Sequence, residues 1–290
     1  MVRLKFSIEL GYQVSDTGCD FIFLIHAAHT REQRVLNETL GISQIVQTEI
    51  YTDLQSHNRY LKLKAAPGAL TVSYTATVDI YHHTAQPEQL PELNVLCLPG
   101  PVLPYLYPSR YCQSDRLHRL AVKEFGHLRQ GYSRVQAIRD WVNQRVTFMS
   151  NSSSVHTTAV DTLINEVGVC RDFAHLMIAL CRAVNIPARF ASGIDYGADP
   201  ALGPTDFHAY VEVYLGSRWY MFDPSGTAIP MGFVRLATGR DAADAAFATM
   251  FGGLASSAPL ISIEALPDDQ GYLLLPQHVA EALSTDGEEA

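Results

Sequence analysis

Along the first fourteen residues every even position is apolar: Val2, Leu4, Phe6, Ile8, Leu10, Tyr12 and Val14, with Arg3, Lys5, Ser7, Glu9, Gly11 and Gln13 between them. Successive side chains of a strand point to opposite faces, so this period of two predicts a strand with one buried and one wet face. The pattern returns at Val72, Tyr74, Ala76, Val78 and Ile80, and shorter runs at Phe21–His26, Ile45–Thr52 and Tyr60–Lys64 read the same way. Strands that follow one another without a helical period point to an antiparallel β-sandwich. Pro87, Pro91, Pro99, Pro101, Pro104 and Pro108 then interrupt any regular element, and the domain boundary is placed among them, giving an N-terminal domain over 1–104.

Beyond the prolines the period lengthens. Val135, Ile138, Trp141, Val142 and Val146 form one helical stripe, opened by Ser133 and Gln136 at capping-box spacing. Leu117, Leu120, Ala121 and Phe125 predict a helix before it. Another runs from about Cys170 to Val184 and stops at Asn185-Ile186-Pro187, because the residue before a proline is forced out of helical geometry. Strand patterns follow at Ala188–Ile194, Phe207–Leu215 and Trp219–Asp223, so the second domain, 105–280, reads as α+β.

Composition narrows the partners. Lys plus Arg is 21 against 30 for Asp plus Glu, a net charge of −9, which leaves no basic excess for binding a nucleic-acid backbone. Glu281, Asp286, Glu288 and Glu289 concentrate part of that charge in 281–290, expected to be a solvated, frayed tail. The five cysteines, Cys19, Cys97, Cys112, Cys170 and Cys181, are odd in number and contain no CxxC pair, so neither a disulfide framework nor a structural zinc site is expected. His82-His83, His156 and His175 lack metal-ligand spacing, and no EF-hand, phosphate-binding or dinucleotide glycine loop is present; no metal or cofactor is expected. No signal-peptide pattern opens the chain and no apolar run reaches ~18 residues, so the expected setting is the cytoplasm, away from membranes. Oligomeric state stays open.

Candidate chemistry sits in three short segments. In Gly168-Val169-Cys170-Arg171-Asp172-Phe173-Ala174-His175 the cysteine falls in the first turn of a helix, where unpaired N–H groups and the helix dipole favour a thiolate. Asp172 suits the same turn as a capping carboxylate. Cys181, eleven residues on among apolar positions, reads as core. In Phe207-His208-Ala209-Tyr210-Val211-Glu212-Val213 the odd positions take the buried face and leave His208, Tyr210 and Glu212 on the other. A hairpin turn at Gly216-Ser217 would set Tyr210 opposite Asp223 and make His208 its diagonal neighbour, ~7 Å away at the backbone. A register slip of one residue would separate them onto opposite faces. Each residue also has an ordinary reading: a buried structural cysteine, a surface histidine, an Asp-Pro-Ser-Gly turn. Their joint occurrence supplies a nucleophile, a base and a base-orienting carboxylate.

These segments, with Ile186-Pro-Ala-Arg189 and Trp219-Tyr-Met-Phe-Asp223-Pro, resemble the bacterial transglutaminase-like family, a group described as cysteine proteases. The resemblance extends upstream through Tyr105-Leu-Tyr-Pro-Ser-Arg-Tyr111 and downstream through Gly239-Arg-Asp-Ala-Ala-Asp244, and fits a β domain in front of the core. It implies a papain-like core with its cysteine at a helix N-terminus packed on an antiparallel sheet. The family's nucleophile falls on Cys170, its histidine on His208 and its aspartate on Asp223. Tyr210 stands where relatives often carry tryptophan; it and Trp219 are candidates to line the substrate cleft. The implied reaction is acyl transfer on a peptide or protein amide through a thioester, hydrolytic in outcome, with the Cys170 N–H in the oxyanion hole. A protein-glutamine transamidase and a non-catalytic scaffold are the alternatives.

Overall fold

The computed structural model describes residues 1–197 and 204–286. Six strands follow one another: β1 (Val2–Val14), β2 (Cys19–Phe23), β3 (Gln33–Ile42), β4 (Thr48–Thr52), β5 (Arg59–Ala65) and β6 (Gly68–Ile80). β1 buries every even position, as its alternation demands, and pairs with β6 from Val2 opposite Ile80 to Val14 opposite Gly68. β3 joins the other edge of β6, while β2, β5 and β4 form a second antiparallel sheet. The apolar faces of both sheets meet in one core that includes Phe6, Ile8, Phe21, Phe23, Leu61 and Val72. β3 is a strand that the pattern of Gln33–Ile42 does not announce. It is an edge strand with a bulge between Val35 and Asn37, so the alternation is broken: Arg34 and residues 36–39 are exposed while Val35, Leu40 and Ile42 pack partly buried against the core.

A short β7 (His83–Ala85) and the proline-rich segment lead to a helical layer. It comprises α1 (Ser114–Phe125), α2 (Tyr132–Arg145), the two-residue β8 (Thr147–Phe148), α3 (Ala159–Asn165), β9 (Val167–Gly168) and α4 (Cys170–Ala183). The expected Ser133 capping box is not formed. α2 starts two residues earlier, with Gly131 at φ 124° in the cap position, and Glu92 accepts the Gly131 N–H while pairing with Arg134. A left-handed cap suits glycine, and a buried carboxylate from the preceding segment takes over the serine's task.

α4 packs against a four-stranded antiparallel sheet of β10 (Ala188–Asp195), β11 (Phe207–Leu215), β12 (Arg218–Phe222) and β13 (Phe233–Gly239), in the order β12-β11-β10-β13. Phe173, Ala174 and Met177 meet Phe190, Val211 and Val213 there, in a core shared with α1 and α2. Among the described residues no helix is long and apolar enough to cross a membrane.

After β13 the chain does not stay with the second unit. β14 (Ala248–Phe251) adds to β2, while β15 (Leu254–Ser256) and β16 (Leu260–Leu266) pair with β1. The stretch expected to complete 105–280 as one domain therefore supplies three strands to the sandwich. The expectation of a frayed tail is corrected over 281–286: β17 (Ala282–Ser284) pairs with β7 and is buried, and Asp286 reaches Arg189 at 2.5 Å. What anchors it is an interior positive charge. Arg189 and Arg235 both pair with the buried Glu212, and Asp286 supplies a second carboxylate to these two cations. Residues 287–290 lie outside the described ones.

Candidate active site

α4 opens on Cys170 because its start is tied down from both sides. The Asp172 carboxylate accepts the Val169 N–H at 2.9 Å and the Ser153 hydroxyl at 2.9 Å, and is itself fully buried. A Cβ on Gly168 would lie 2.8 Å from that of Asp172, so the glycine makes room for the cap. Asp172 thus has the structural task expected of it. Cys170, partly exposed, sits at the positive end of a helix of 14 residues, with Sγ 3.9 Å from the Phe207 carbonyl oxygen. The thiols of Cys112 and Cys181 are buried, which pushes the first up to about 12 and the second higher still.

The sheet registers decide the rest. Val211 pairs with Phe222 and Leu215 with Arg218, so the expected turn at Gly216-Ser217 is the observed one; the ladder ends at Val211–Phe222, and the same register carried one step further sets Tyr210 opposite Asp223. His208 is diagonal to Asp223 on the same face, with Nε2 3.5 Å from Oδ1. Asp223 is fixed in turn: Oδ1 accepts the Ser225 N–H at 2.9 Å and the Ser225 hydroxyl at 2.6 Å, and Oδ2 accepts the Ala228 N–H at 3.1 Å. The Cys170 thiol, whose Sγ lies against the carbonyl of the residue before His208, also acts on the ring by charge and hydrogen bonding. The three residues singled out from the sequence are thus neighbours.

One residue of this cluster was not foreseen. Asp195, at the end of β10, lies with Oδ2 3.7 Å from His208 Nδ1 and is buried. Gly193 pairs with His208, which makes Asp195 the diagonal partner across the β10–β11 ladder. A long connection joins these two strands, so no turn signal reveals their register.

Burial alone pushes the His208 imidazole down, but Asp195, Cys170 and Asp223 together outweigh it and hold its pKa well above the ordinary value. Burial raises the Asp223 carboxyl, yet hydrogen bonding and charge from His208, with help from Ser225 and Ala228, leave it below the usual carboxylate range. A thiol, an imidazole inclined to keep its proton and a fixed carboxylate are the parts a nucleophile–base pair requires.

The two expected cleft residues are both buried. Tyr210 is fully buried, stands edge-on to His208 with ring centroids 5.0 Å apart, and donates its hydroxyl to Asp195 at 2.8 Å. Trp219 faces Tyr214 across the hairpin, about four residues or ~13 Å along β12 from Asp223. It is buried against Tyr105 and Arg189, and it borders a separate cavity of about 560 Å³, between the sandwich and residues 101–105, that none of the three candidate residues lines. The strand alternation placed both side chains on the right face; what it could not show is that this face is covered. His175, expected to pack or lie at the surface, is buried, stacked on Tyr111, and accepts the Ala242 N–H.

Comparison with known proteins agrees with this architecture. A model of the transglutaminase-like superfamily matches residues 120–224, and one of the bacterial transglutaminase N-terminal domain matches residues 2–101. The crystal structure of a "putative cysteine protease" from Cytophaga hutchinsonii is 39% identical, covers 98% of this chain and 97% of its own, and superposes with a TM-score of 0.90. An uncharacterized protein of Mycobacterium leprae is 27% identical over 146 residues, 49% of this chain and 52% of that protein. One of Mycobacterium tuberculosis is 29% identical over 124 residues, 38% of this chain and 40% of its own length. The chain thus spans about half or less of the curated relatives it matches.

Proposed function

The chain belongs to the transglutaminase-like superfamily, and on that premise we propose that it hydrolyses peptide or protein amides with Cys170 as nucleophile, His208 as proton shuttle and Asp223 as the carboxylate orienting His208. The observation that carries the reading is the meeting of a helix-start thiol with an imidazole held by a bound carboxylate. The Cys170 thiolate adds to the amide carbonyl carbon. The C–N bond breaks as His208 gives its proton to the departing amine, leaving a thioester and a neutral imidazole. Water then adds to the thioester while His208 takes one of its protons. Loss of the C–S bond frees the acid and restores thiolate and imidazolium. The N–H of Cys170, in the first helical turn, has no intrahelical carbonyl to serve and is suited to the oxyanion.

Hydrolysis is preferred over transfer to an amine for a specific reason. Glu212, the carboxylate of the β11 motif that could draw a cationic amine along the sheet, is buried between Arg189 and Arg235. Incubation with a glutamine-containing peptide and an excess of labelled primary amine tests the reading. Free acid as the main product, abolished by Cys170→Ala, is the expected result. Predominant amine incorporation would replace it with a transamidase, and neither product from folded, reduced protein would favour a scaffold.

A further inference from the structure

His208 is flanked by two carboxylates, and the proposed reaction assigns a task to only one of them. Asp195 approaches from β10 on the side opposite Asp223, with Oδ2 3.7 Å from Nδ1 where Asp223 Oδ1 is 3.5 Å from Nε2. Its Oδ1 accepts the Tyr210 hydroxyl at 2.8 Å, while Oδ2 has no hydrogen-bond partner among the described residues. Tyr210 and Asp195 are both buried, at 0% and 1% exposure, so the carboxylate is held in place and kept from water. Such a position is costly for a charge, since it lies in low dielectric beside a second anion. An asparagine would accept the same Tyr210 bond without that cost. What only the carboxylate adds is negative charge at Nδ1.

We propose that Asp195, oriented by Tyr210, is a positioning residue that works with Asp223 to hold His208 doubly protonated, and so keeps the Cys170–His208 pair charged before substrate arrives. The inference rests on the acyl-transfer reading above. The groups facing His208 are Cys170 from α4, Asp195 from β10, Asp223 after β12 and Tyr210 on its own strand. Of the single interactions that raise the affinity of His208 for its proton, the charge of Asp195 is the largest, although burial opposes all of them. Burial pushes the Asp195 carboxyl up to about 6; His208 and Tyr210 pull against this, and Asp223 adds to it. The sign follows. Above that range Asp195 is charged and delays loss of the His208 proton to higher pH. Without the charge the proton leaves at lower pH.

The test is the rate of Cys170 alkylation by iodoacetamide from acid to alkaline pH, read by mass spectrometry at the Cys170 peptide, in wild type, Asp195→Asn, Asp195→Glu and Tyr210→Phe. The alkaline inflection reports proton loss from His208. It is expected to fall by about one pH unit or more in Asp195→Asn, since an opposite charge at this range shifts an ionisable group by roughly 1–3 units. Asp195→Glu should restore most of the difference, and Tyr210→Phe should move the inflection the same way by less. With an amide substrate, Asp195→Asn should lower kcat and leave KM unchanged, because the carboxylate acts through His208 alone. Coincident inflections in wild type and Asp195→Asn would overturn the inference while leaving the nucleophile intact. Should Asp195→Asn not fold, Tyr210→Phe carries the same decision, an unmoved inflection overturning it. Wild-type Cys170 no more reactive than the exposed Cys97 would overturn the acyl-transfer reading, and this inference with it.

Discussion

Cys170 differs from the other four cysteines in what surrounds it. Cys19, Cys112 and Cys181 are buried, Cys97 is exposed, and Cys170 is partly exposed at a helix start beside an imidazole that keeps its proton. At mildly acidic pH iodoacetamide should therefore modify Cys170 about tenfold or more faster than Cys97, with Cys112 and Cys181 untouched until the protein unfolds. Site-resolved mass spectrometry measures this, and faster labelling of Cys97 would count against the nucleophile. His208→Ala removes the cationic partner, so Cys170 alkylation in the same pH range should drop about tenfold or more. Asp223→Ala should lower it less, because the carboxylate reaches sulfur only through the ring. Equal rates in all three proteins would show that the residues do not act together.

At the scale of elements, the beginnings and ends of secondary structure hold the site. The buried Asp172 carboxylate carries both the Val169 N–H and the Ser153 hydroxyl, so Asp172→Ala strands donors at the start of α4. A loss of about 1–2 kcal/mol in urea unfolding is expected, from the value of an N-terminal cap and of buried donors left unmade. β17 holds the opposite side of the sheet. Burial alone would raise the Asp286 carboxyl, but Arg189, Arg235 and Arg218 outweigh it and hold it below the ordinary range. A carboxyl depressed in the folded state contributes stability above its unfolded pKa and loses it as pH falls through the folded one. Asp286→Asn should thus cost about 3 kcal/mol at neutral pH, the scale for breaking a buried ion pair, and only part of that at the acid end. Denaturant melts at the two pH values measure it. Equal losses at both would mean that the carboxylate's charge is not what holds β17.

For the whole molecule the decisive feature is the return of the chain to its first sheet. β14, β15 and β16 complete the sandwich, with Leu4 opposite Ala265 and Phe6 opposite Ile263, 257 or more positions apart in sequence. A fragment of residues 1–104 would leave one edge of β1 and one of β2 unpaired, and unpaired strand edges associate. It should be aggregated or lack dispersed amide NMR resonances, whereas the same fragment supplied with a peptide spanning 246–268 should gain structure. A well-dispersed spectrum from 1–104 alone would show that the sandwich is complete without the return strands.

What could be read locally was decided by local physics. The alternation of β1, the apolar stripe of α4 and the two-residue turn at Gly216-Ser217 each act over a few residues, and from them follow the sandwich, the helix start at Cys170 and the pairing that sets His208 diagonal to Asp223. The resemblance carried by the same motifs is upheld by the family to which the chain belongs. Tertiary structure alone decided what lies over each face. It buried Tyr210 and Trp219, which look like cleft residues when only the strand is considered, drew Glu212 and the acidic Asp286 into one charged cluster around Arg189 and Arg235, and set Asp195 against His208. A strand pattern states which side chains share a face. Whether that face meets water, another strand or a buried arginine depends on segments distant in sequence, and no local periodicity encodes them.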